Sequence, residues 1–469
     1  MAGEWVMTTL GDSPLEIIDG DRGSNYPKQQ DFNTIGHCLF LNAGNVTTSG
    51  FNFTDCAFIS AEKDLALRKG KLKRHDVVLT TRGTVGNVAF FDESIPYDHI
   101  RINSGMVILR AQPEKLRPRF LYLFLRSFLF RSQVESLRTG SAQPQLPIRD
   151  IKRIKIPVPS PVDQDAIAHI LGTLDDKIEL NRRMSETLEA MARALFKSWF
   201  VDFDPVRAKM EGRWRRGESL PGLPAHLYDL FPDRLVDSEL GEIPEGWEVG
   251  TLGDLLAELV SGGRPKGGAA EEGVPSVGAE NIIGLGKYDF SKEKYVPPQF
   301  FQELKRKGAA VKPGDVLLYK DGAQIGRKTY FDCGFPHTEC AINEHVFILR
   351  AKHAHYQRYL FFWLDQEWMT QEIISLNSNS AQPGINQQGV RSLPLLMVPD
   401  PIIEMFDRVT KPLMDRLFTT CHESRSLAAL RDALLPKLIS GALCLPAALC
   451  VRAAQAGVKD AERFIGRVM

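Results

Sequence analysis

The chain has 469 residues, a length that predicts two or more domains, each large enough to bury a core of its own. Its 58 Lys and Arg balance its 58 Asp and Glu, so net charge by itself indicates no particular class of partner. Seven cysteines are too few for a disulfide framework, and neither a secretory leader nor an apolar run of about 18 residues is present, so we expect a cytoplasmic protein that does not cross a membrane.

The sequence repeats itself at a distance of about 240 residues. Four segments recur in the same order: WVMTTLGD (5–12) as WEVGTLGD (247–254), RHDVVLTTRGTVG (74–86) as KPGDVLLYKDGAQIG (312–326), INSGMVILRA (102–111) as INEHVFILRA (342–351), and SAQP (141–144) as SAQP (380–383). So long a period indicates a duplicated domain rather than a solenoid of short repeats. Two similar domains at a fixed separation suit a target that has two parts.

The repeat and the composition divide the chain into four segments. They are the first repeat unit (1–159), a helix with a connector (160–245), the second repeat unit (246–400) and a C-terminal helix with a tail (401–469). The connector is rich in Pro, Gly and charged residues, but its aromatic residues predict that it is ordered and packs on something.

Each repeat unit mixes strand and helix patterns. Short apolar runs such as VVLT, VAFF and MVILR, separated by Gly and Asn, predict strands. Residues 120–137 and 359–376 have the length and spacing of one helix each. We therefore expect an α+β fold in both units.

A long helix is predicted after each repeat unit. The first follows the start signal Ser160–Asp163 and runs from about Gln164 to Phe200, roughly 55 Å. Its apolar residues step by four and three from Ile167 to Trp199, around a polar middle.

The second long helix has a similar seam from Leu413 to Leu438, in which we expect Pro412 and Pro436 to cause kinks or helix ends. We expect the two helices to pair antiparallel as a coiled coil, which makes the fold two similar domains separated by a pair of long helices. Ordinary bundle packing inside a globular domain is the alternative.

Three further segments carry a resemblance to a known family. They are FKSWFVDFDPVRAKMEG (196–212), SELGEIPEGWEVGTLGDL (238–255) and LRDALLPKLISG (430–441). With the duplication, they resemble the specificity subunit of type I restriction–modification enzymes over nearly the whole chain. The final VKDAERFIG (458–466) looks like a family ending that is set back behind an insertion, CLPAALCVRAAQA, for which the sequence offers no explanation.

The resemblance implies that each repeat is a target-recognition domain for one half of a split sequence in double-stranded DNA, and that the helices fix the unread gap between the halves. It further implies two modification (methyltransferase) subunits, which carry S-adenosylmethionine, and two restriction (motor-nuclease) subunits. The chain itself would need no cofactor and would not be an enzyme.

Other functions remain open. The chain could be the reading subunit of another two-headed restriction system, or a coiled-coil adaptor whose duplicated domains bind proteins. An enzyme acting alone is third, because the sequence has no Asp/Asn-Pro-Pro-aromatic loop, phosphate loop, nucleophile elbow or H-E-x-x-H. A zinc site could be drawn from Cys333, His337, Cys340 and His345, but their spacing matches no common finger, and we predict no metal.

Residues that read bases should lie on loops with hydrogen-bonding side chains. The best candidates flank the Gly turn that follows the VVLT or VLLY strand in each repeat, and polar loops at 42–45 and 280–281 come next. The candidates are Thr81, Arg82, Thr84, Asn87, Asn42 and Asn45 in the first repeat, and Lys320, Asp321, Gln324, Arg327, Lys328 and Asn281 in the second. The Gly turns and the SAQP residues (Ser141, Gln143, Ser380, Gln382) recur in both repeats, which favours a role in shaping the fold.

Overall fold

The strands of the two repeats have the same order in a computed structural model of the chain, which describes residues 5–140, 144–220, 222–322, 324–377 and 384–443. The described residues form two units. Unit 1 comprises those up to Lys177 and those from Leu427 onward, and unit 2 comprises Ile178–Ser426. The four-segment division from sequence, with bounds at 159, 245 and 400, remains a prediction.

The first repeat belongs to unit 1. Its strands are β1 (Met7–Thr9), β2 (Leu15–Asp19), β3 (Cys38–Leu41), β4 (Val46–Thr47), β5 (Gly50–Phe51), β6 (Phe58–Ile59), β7 (Val77–Thr80), β8 (Val88–Phe90), β9 (Ile100–Ile102), β10 (Met106–Ala111) and β11 (Lys155–Pro157). Its helices are α1 (Ala61–Ala66), α2 (Pro118–Arg126), α3 (Phe128–Leu137) and α4 (Ile148–Ile151).

The chain continues through the first long helix and the connector. These elements are α5 (Pro161–Phe200), α6 (Asp204–Met210), β12 (Leu235–Ser238) and β13 (Gly241–Pro244). The connector is ordered, as predicted, because Trp214 and Phe231 are buried in the core of unit 2.

The second repeat belongs to unit 2. Its strands are β14 (Glu248–Thr251), β15 (Leu256–Ser261), β16 (Val274–Val277), β17 (Lys294–Val296), β18 (Asp315–Tyr319), β19 (Lys328–Phe331), β20 (Ala341–Ile342), β21 (Val346–Ala351) and β22 (Pro394–Met397). Its helices are α7 (Leu252–Leu255), α8 (Pro298–Arg306), α9 (Tyr356–Leu364), α10 (Glu367–Ser375) and α11 (Gln387–Ser392), and α12 (Asp400–Ile439) follows.

The sheet topology shows the duplication directly. A four-stranded sheet has the order β2-β10-β7-β8 in the first repeat and β15-β21-β18-β19 in the second. A three-stranded sheet has the order β6-β3-β9 or β17-β16-β20, and its middle strand pairs antiparallel with one neighbour and parallel with the other in both cases. The first and last strands of each repeat also pair, β1 with β11 and β14 with β22. Both repeats are therefore α+β, as predicted.

A buried ion pair recurs at the same point of both four-stranded sheets. The Arg110 guanidinium donates to both carboxylate oxygens of Asp76, at 2.8 and 2.7 Å, and Arg350 donates to both oxygens of Asp315, each at 2.7 Å. The N–H of the residue three places before each aspartate donates to the same carboxylate. The Asp76 carboxylate also raises the pKa of Arg110 above its ordinary value. The pair joins the start of β7 or β18 to the end of the neighbouring strand, which fixes their register.

The single helices predicted over 120–137 and 359–376 are each two helices. The first breaks at Ser127, whose hydroxyl donates to the Phe124 carbonyl at 2.6 Å and accepts from the Phe130 N–H at 3.3 Å. A serine that caps one helix end and the next helix start in this way allows the chain to turn. The apolar spacing continues across the break, so spacing alone did not reveal it.

The two long helices are present, and α5 begins three residues before the predicted start. Neither proline ends the helix, because α12 continues through Pro412 and stops three residues after Pro436, and a kink at the prolines stays a prediction. Each proline costs a helix roughly 3 kcal/mol. The burial of neighbours such as Met414, Leu417 and Leu438 offsets that cost.

Within each unit the parts of α5 and α12 pack against each other. In unit 2, Asn181 donates to Glu423 at 2.9 Å and Phe196 contacts Phe406 with ring centroids 5.9 Å apart. The contacting residues of α12 have lower residue numbers as those of α5 have higher ones, so the two helices run antiparallel. In unit 1, Asp175 pairs with Arg431 at 2.9 Å. No helix of the described residues is long and apolar enough to cross a membrane.

The buried ion pair of the second repeat gives a stability prediction. Asp315→Asn removes the charge that faces Arg350, whose side chain is 10% exposed, and should lower the free energy of unfolding by about 3 kcal/mol. Urea unfolding followed by tryptophan fluorescence measures this, because five of the six tryptophans lie in unit 2.

The matched control is Asp229→Asn, which removes an aspartate that is 61% exposed and pairs with an exposed arginine. This variant should change the unfolding free energy by less than about 1 kcal/mol. Equal urea midpoints for the two variants would show that the ion pair of Asp315 does not stabilise the sheet.

Candidate nucleic-acid interface

The first candidate loop, called reading loop 1 (residues 81–87), connects β7 to β8. Gly83 and Gly86 have φ values of 72° and 93°, which glycine adopts without strain and which turn the chain back. The Thr80 hydroxyl donates to the Thr84 carbonyl and accepts from the Asn87 N–H at 3.0 Å. The loop is therefore held by its own backbone and by the last residue of β7.

Reading loop 2 (residues 320–327) connects β18 to β19 at the equivalent place. Its glycines Gly322 and Gly326 have φ values of 82° and 86°. The Gly326 N–H donates to the Tyr319 carbonyl at 3.0 Å, as the Gly86 N–H donates to the Thr80 carbonyl at 3.0 Å in the first repeat. The two loops therefore share their glycine conformations and the hydrogen bond that closes them.

A neighbouring turn supports each reading loop. The N–H groups of Thr81 and Arg82 donate to the Gly105 carbonyl at 2.8 and 3.2 Å, and the Lys320 N–H donates to the His345 carbonyl at 3.0 Å. We call residues 103–105 and 343–345 the supporting turns. Our sequence analysis did not assign them a role, although they lie in the repeated INSG and INEH segments that would have revealed it.

The chain just after each SAQP segment also holds a reading loop. The Leu146 N–H donates to the Thr81 carbonyl at 2.9 Å, and the Ile385 N–H donates to the Lys320 carbonyl at 2.8 Å. These bonds agree with a role of the repeated segment in shaping the loop. Ser141, Gln143, Ser380 and Gln382 themselves lie outside the described residues.

Four candidate side chains are exposed on the loops: Arg82 and Thr84 on reading loop 1, and Gln324 and Arg327 on reading loop 2. Within the described part of the chain, none of them has a side-chain hydrogen bond or ion pair. An exposed arginine without a partner keeps all its donors for a base edge or a phosphate. These four are therefore the accessible part of the candidate set.

The other candidates on reading loop 1 are partly engaged in the fold. Thr81 is buried, with 6% of its surface exposed. Asn87 is half-buried, and its amide donates to the Val46 carbonyl at 3.0 Å. Both residues hold the loop in place.

Two candidates on reading loop 2 have partners as well. The Lys320 ammonium donates to the Ser261 hydroxyl at 3.0 Å and lies 4.8 Å from the centre of the Phe347 ring. The Asp321 carboxylate is 2.7 Å from Nδ1 of His345, in the supporting turn. Their polar groups remain partly accessible at the edge of the loop.

Lys328 is placed differently from what its sequence position suggested. Its side chain is buried, and its ammonium donates to the Leu364 carbonyl at 2.7 Å and to the Thr370 hydroxyl at 2.6 Å. Burial lowers the pKa of this lysine to about 8. An ammonium enclosed between β19 and the α9–α10 helix pair is not on the surface, so Lys328 leaves the candidate set.

The asparagines Asn45 and Asn281 also serve the fold. Asn45 is 2% exposed and donates to the Asn52 and Asp55 carbonyls at 3.0 and 2.7 Å, and Asn281 is 1% exposed and donates to the Asp289 carbonyl at 3.0 Å. Each therefore closes an equivalent loop in its repeat.

Asn42, by contrast, is exposed. Its side-chain oxygen accepts from the Gly44 N–H at 2.8 Å, which leaves the amide nitrogen free to donate.

The four residues that could be drawn as a zinc set do not converge. His337 pairs with Glu293, His345 pairs with Asp321, and burial raises the pKa of the Cys340 thiol to about 12. Among the described residues, the one group of three or more potential metal ligands is Asp332, Cys333 and Asp415, which contains only Cys333 of these four.

Known proteins resemble the chain in sequence and in fold. The family model described as "Type I restriction modification DNA specificity domain" matches residues 4–190. The specificity subunit of the HindI type I restriction enzyme of Haemophilus influenzae is 26% identical, over 90% of this chain and 98% of its own length. That of the MjaIX enzyme of Methanocaldococcus jannaschii is 25% identical, over 78% of this chain and 77% of its own.

A solved structure has the same fold. The type I restriction–modification S subunit from M. genitalium superposes with a TM-score of 0.57 over 93% of this chain and 96% of its own, at 16% identity. The duplicated α+β repeats, the two long helices and these matches make the chain similar to the specificity subunits of type I restriction–modification enzymes over most of its length.

Proposed function

We propose that the chain is the DNA-reading subunit of a type I restriction–modification complex and that each repeat reads one half of a bipartite target. The observation that carries this proposal is that the contacts holding the reading loops recur in both repeats, whereas the exposed side chains of the loops do not. The Arg–Asp pairs, the loop glycines and the supporting turns recur in both repeats. The exposed loop side chains differ, with Arg82 and Thr84 in one and Gln324 and Arg327 in the other. A common frame with different reading groups suits two half-sites of different sequence.

The long helices would set the length of the unread gap. Their antiparallel packing within unit 2, through Asn181 with Glu423 and Phe196 with Phe406, supports a stiff spacer. A buried polar contact in a helical seam also opposes sliding, because any other register would bury Asn181 against apolar groups.

The chain would recognise the DNA sequence, and its partner subunits would carry out the methylation and cleavage reactions. Two modification subunits would methylate adenine with S-adenosylmethionine, and two motor-nuclease subunits would complete the restriction complex. The ordered connector, residues 201–246, is the surface on which we propose that the modification subunits dock. Its packed aromatic residues make it a firm platform.

Mapping methylated adenines tests the function as a whole. The chain is expressed with a modification subunit in cells that lack other adenine methylation, and methylated positions are located in the DNA. A split motif with a constant gap is the expected result. Methylation in a continuous motif would contradict two-headed reading.

Arg82→Ala should weaken binding to the cognate half-site by about 1–3 kcal/mol, because an exposed arginine without a partner loses contacts to a base or phosphate. Electrophoretic mobility shift with the full complex measures it. Lys328→Met is the matched control, since its buried ammonium cannot reach DNA. Assembly with the modification subunits should be unchanged in both variants. Full affinity of the Arg82 variant would refute its placement at the interface.

The spacer gives a second prediction. One heptad inserted in α5 within residues 167–199, with a matched heptad opposite it in α12, lengthens the pair by about 10 Å. The methylated motif should then have a gap that is longer by about three base pairs. A heptad inserted in α5 alone should abolish recognition, because it breaks the seam.

The control insertion is seven residues after Glu93, which is 71% exposed in the turn between β8 and β9 and belongs to neither helix. It should leave the gap unchanged. An unchanged gap in the matched double insertion would show that the helices do not set the spacing.

A further inference from the structure

One arginine recurs beside both reading loops and was not among the candidate residues. Gly20 and Arg22 follow strand β2 in the first repeat, and Gly262 and Arg264 follow the equivalent strand β15 in the second. The repeated pattern is Gly-x-Arg. It lies against the supporting turn of its repeat, although the two are far apart in sequence.

The glycine of this pattern is required by a close backbone approach. A Cβ atom added at Gly20 would lie 2.3 Å from the Asn103 carbonyl oxygen, and one at Gly262 would lie 2.2 Å from the Asn343 oxygen. Real Cβ atoms do not come so near to backbone, so only glycine fits at both positions. The chain therefore passes directly against the supporting turn in both repeats.

This approach places each arginine on the turn that supports a reading loop. Nη2 of Arg22 lies 3.3 Å from the Ser104 carbonyl, and Nη1 of Arg264 lies 3.7 Å from the Glu344 carboxylate. Arg82 donates its N–H to Gly105 of the same turn. The arginine and the reading loop thus share one support in each repeat.

Both guanidinium groups are available to a ligand. The Arg22 side chain is 50% exposed and pairs with Asp19 at 3.2 Å, and the Arg264 side chain is 68% exposed. Exposed ion pairs of this kind contribute less than about 1 kcal/mol, so a stronger anion can replace the carboxylate.

Further positive charge surrounds Arg22. The buried Asp21 carboxylate accepts N–H groups of Gly23 at 2.7 Å, Arg68 at 2.6 Å and Lys69 at 3.3 Å. It thereby holds three basic residues, Arg22, Arg68 and Lys69, on one short stretch of surface. In the second repeat Gly263 replaces Asp21, and the exposed Lys266 follows Arg264.

The recurrence itself indicates what these arginines contact. Residues that read different bases should differ between the repeats, as the reading loops do. A residue that is the same in both suits a group that every DNA sequence presents, which is the backbone phosphate. Arginine fits this group because its donors match two phosphate oxygens.

We propose that Arg22 and Arg264 are a duplicated pair of phosphate-binding residues, each of which holds the DNA backbone beside the reading loop of its repeat. The proposal rests on the proposed function, and it separates affinity from specificity: the two arginines give affinity for any duplex, and the loops choose the sequence.

The test uses the full chain assembled with its modification subunits. Affinity is measured for a duplex that carries the mapped target and for a duplex of scrambled sequence, from about 50 to about 200 mM salt. Arg22→Ala and Arg264→Ala should each weaken binding to both duplexes by a similar factor, about three- to tenfold, and should lower the slope of log affinity against log salt by about 1. Arg22→Lys should restore most of the affinity.

Arg119→Ala is the matched control, because Arg119 is a 43% exposed arginine that pairs with Asp176 of α5 rather than with a residue of a supporting turn, and it should leave affinity and slope unchanged. Unchanged affinity in the Arg22 and Arg264 variants, or a loss confined to the target duplex with an unchanged slope, would overturn the phosphate assignment alone. A parent complex that binds no duplex in a salt-dependent way would overturn the proposed function and the assignment with it.

Discussion

The structure depends first on an arginine that binds a buried aspartate between the two central strands of each four-stranded sheet. Arg110 with Asp76 and Arg350 with Asp315 join neighbouring strands by two parallel hydrogen bonds. Removing either arginine would leave a carboxylate that is only 2% exposed without its opposite charge, which is costly. Since a strand that slips by one residue turns its apolar side chains to the wrong face, this fixed register also determines where the loop after β7 or β18 emerges.

Because the fold itself holds the reading loops in place, their exposed side chains can differ between the repeats without loss of the fold. The loop glycines, the supporting turns and the residues just after the SAQP segments supply most of the contacts that shape the reading loops, and many of these contacts are made by backbone atoms. The exposed side chains of the loops make no such contact among the described residues. Under the proposed function their identity is free to follow the DNA sequence, while Gly20 and Gly262 let the chain that carries Arg22 or Arg264 pass against the supporting turn.

Sequence patterns predicted the parts of this architecture that depend on periodicity. The duplication, the strands, α5 and the ordered connector followed from recurring letters and apolar spacing. The break at Ser127 did not, because one serine caps two helices while the apolar spacing continues past it. The candidate site was predicted in part: Arg82 and Arg327 are exposed, but Lys328 and Asn281 are buried, since a polar residue beside a loop can bond to the fold as well as to a ligand. Arg22 and Arg264 were missed because the contact that matters lies about 80 residues away in the chain.

The pairing of β1 with β11 and of β14 with β22 brings the two ends of each repeat side by side, with Met7 opposite Pro157 and Glu248 opposite Met397. A domain whose ends are adjacent can be cut out and replaced by a relative without moving the chain on either side. This geometry suits exchange of a whole repeat, and under the proposed function recombination within a pair of such genes would create a new combination of half-sites in a single step, while the long helices stay the same.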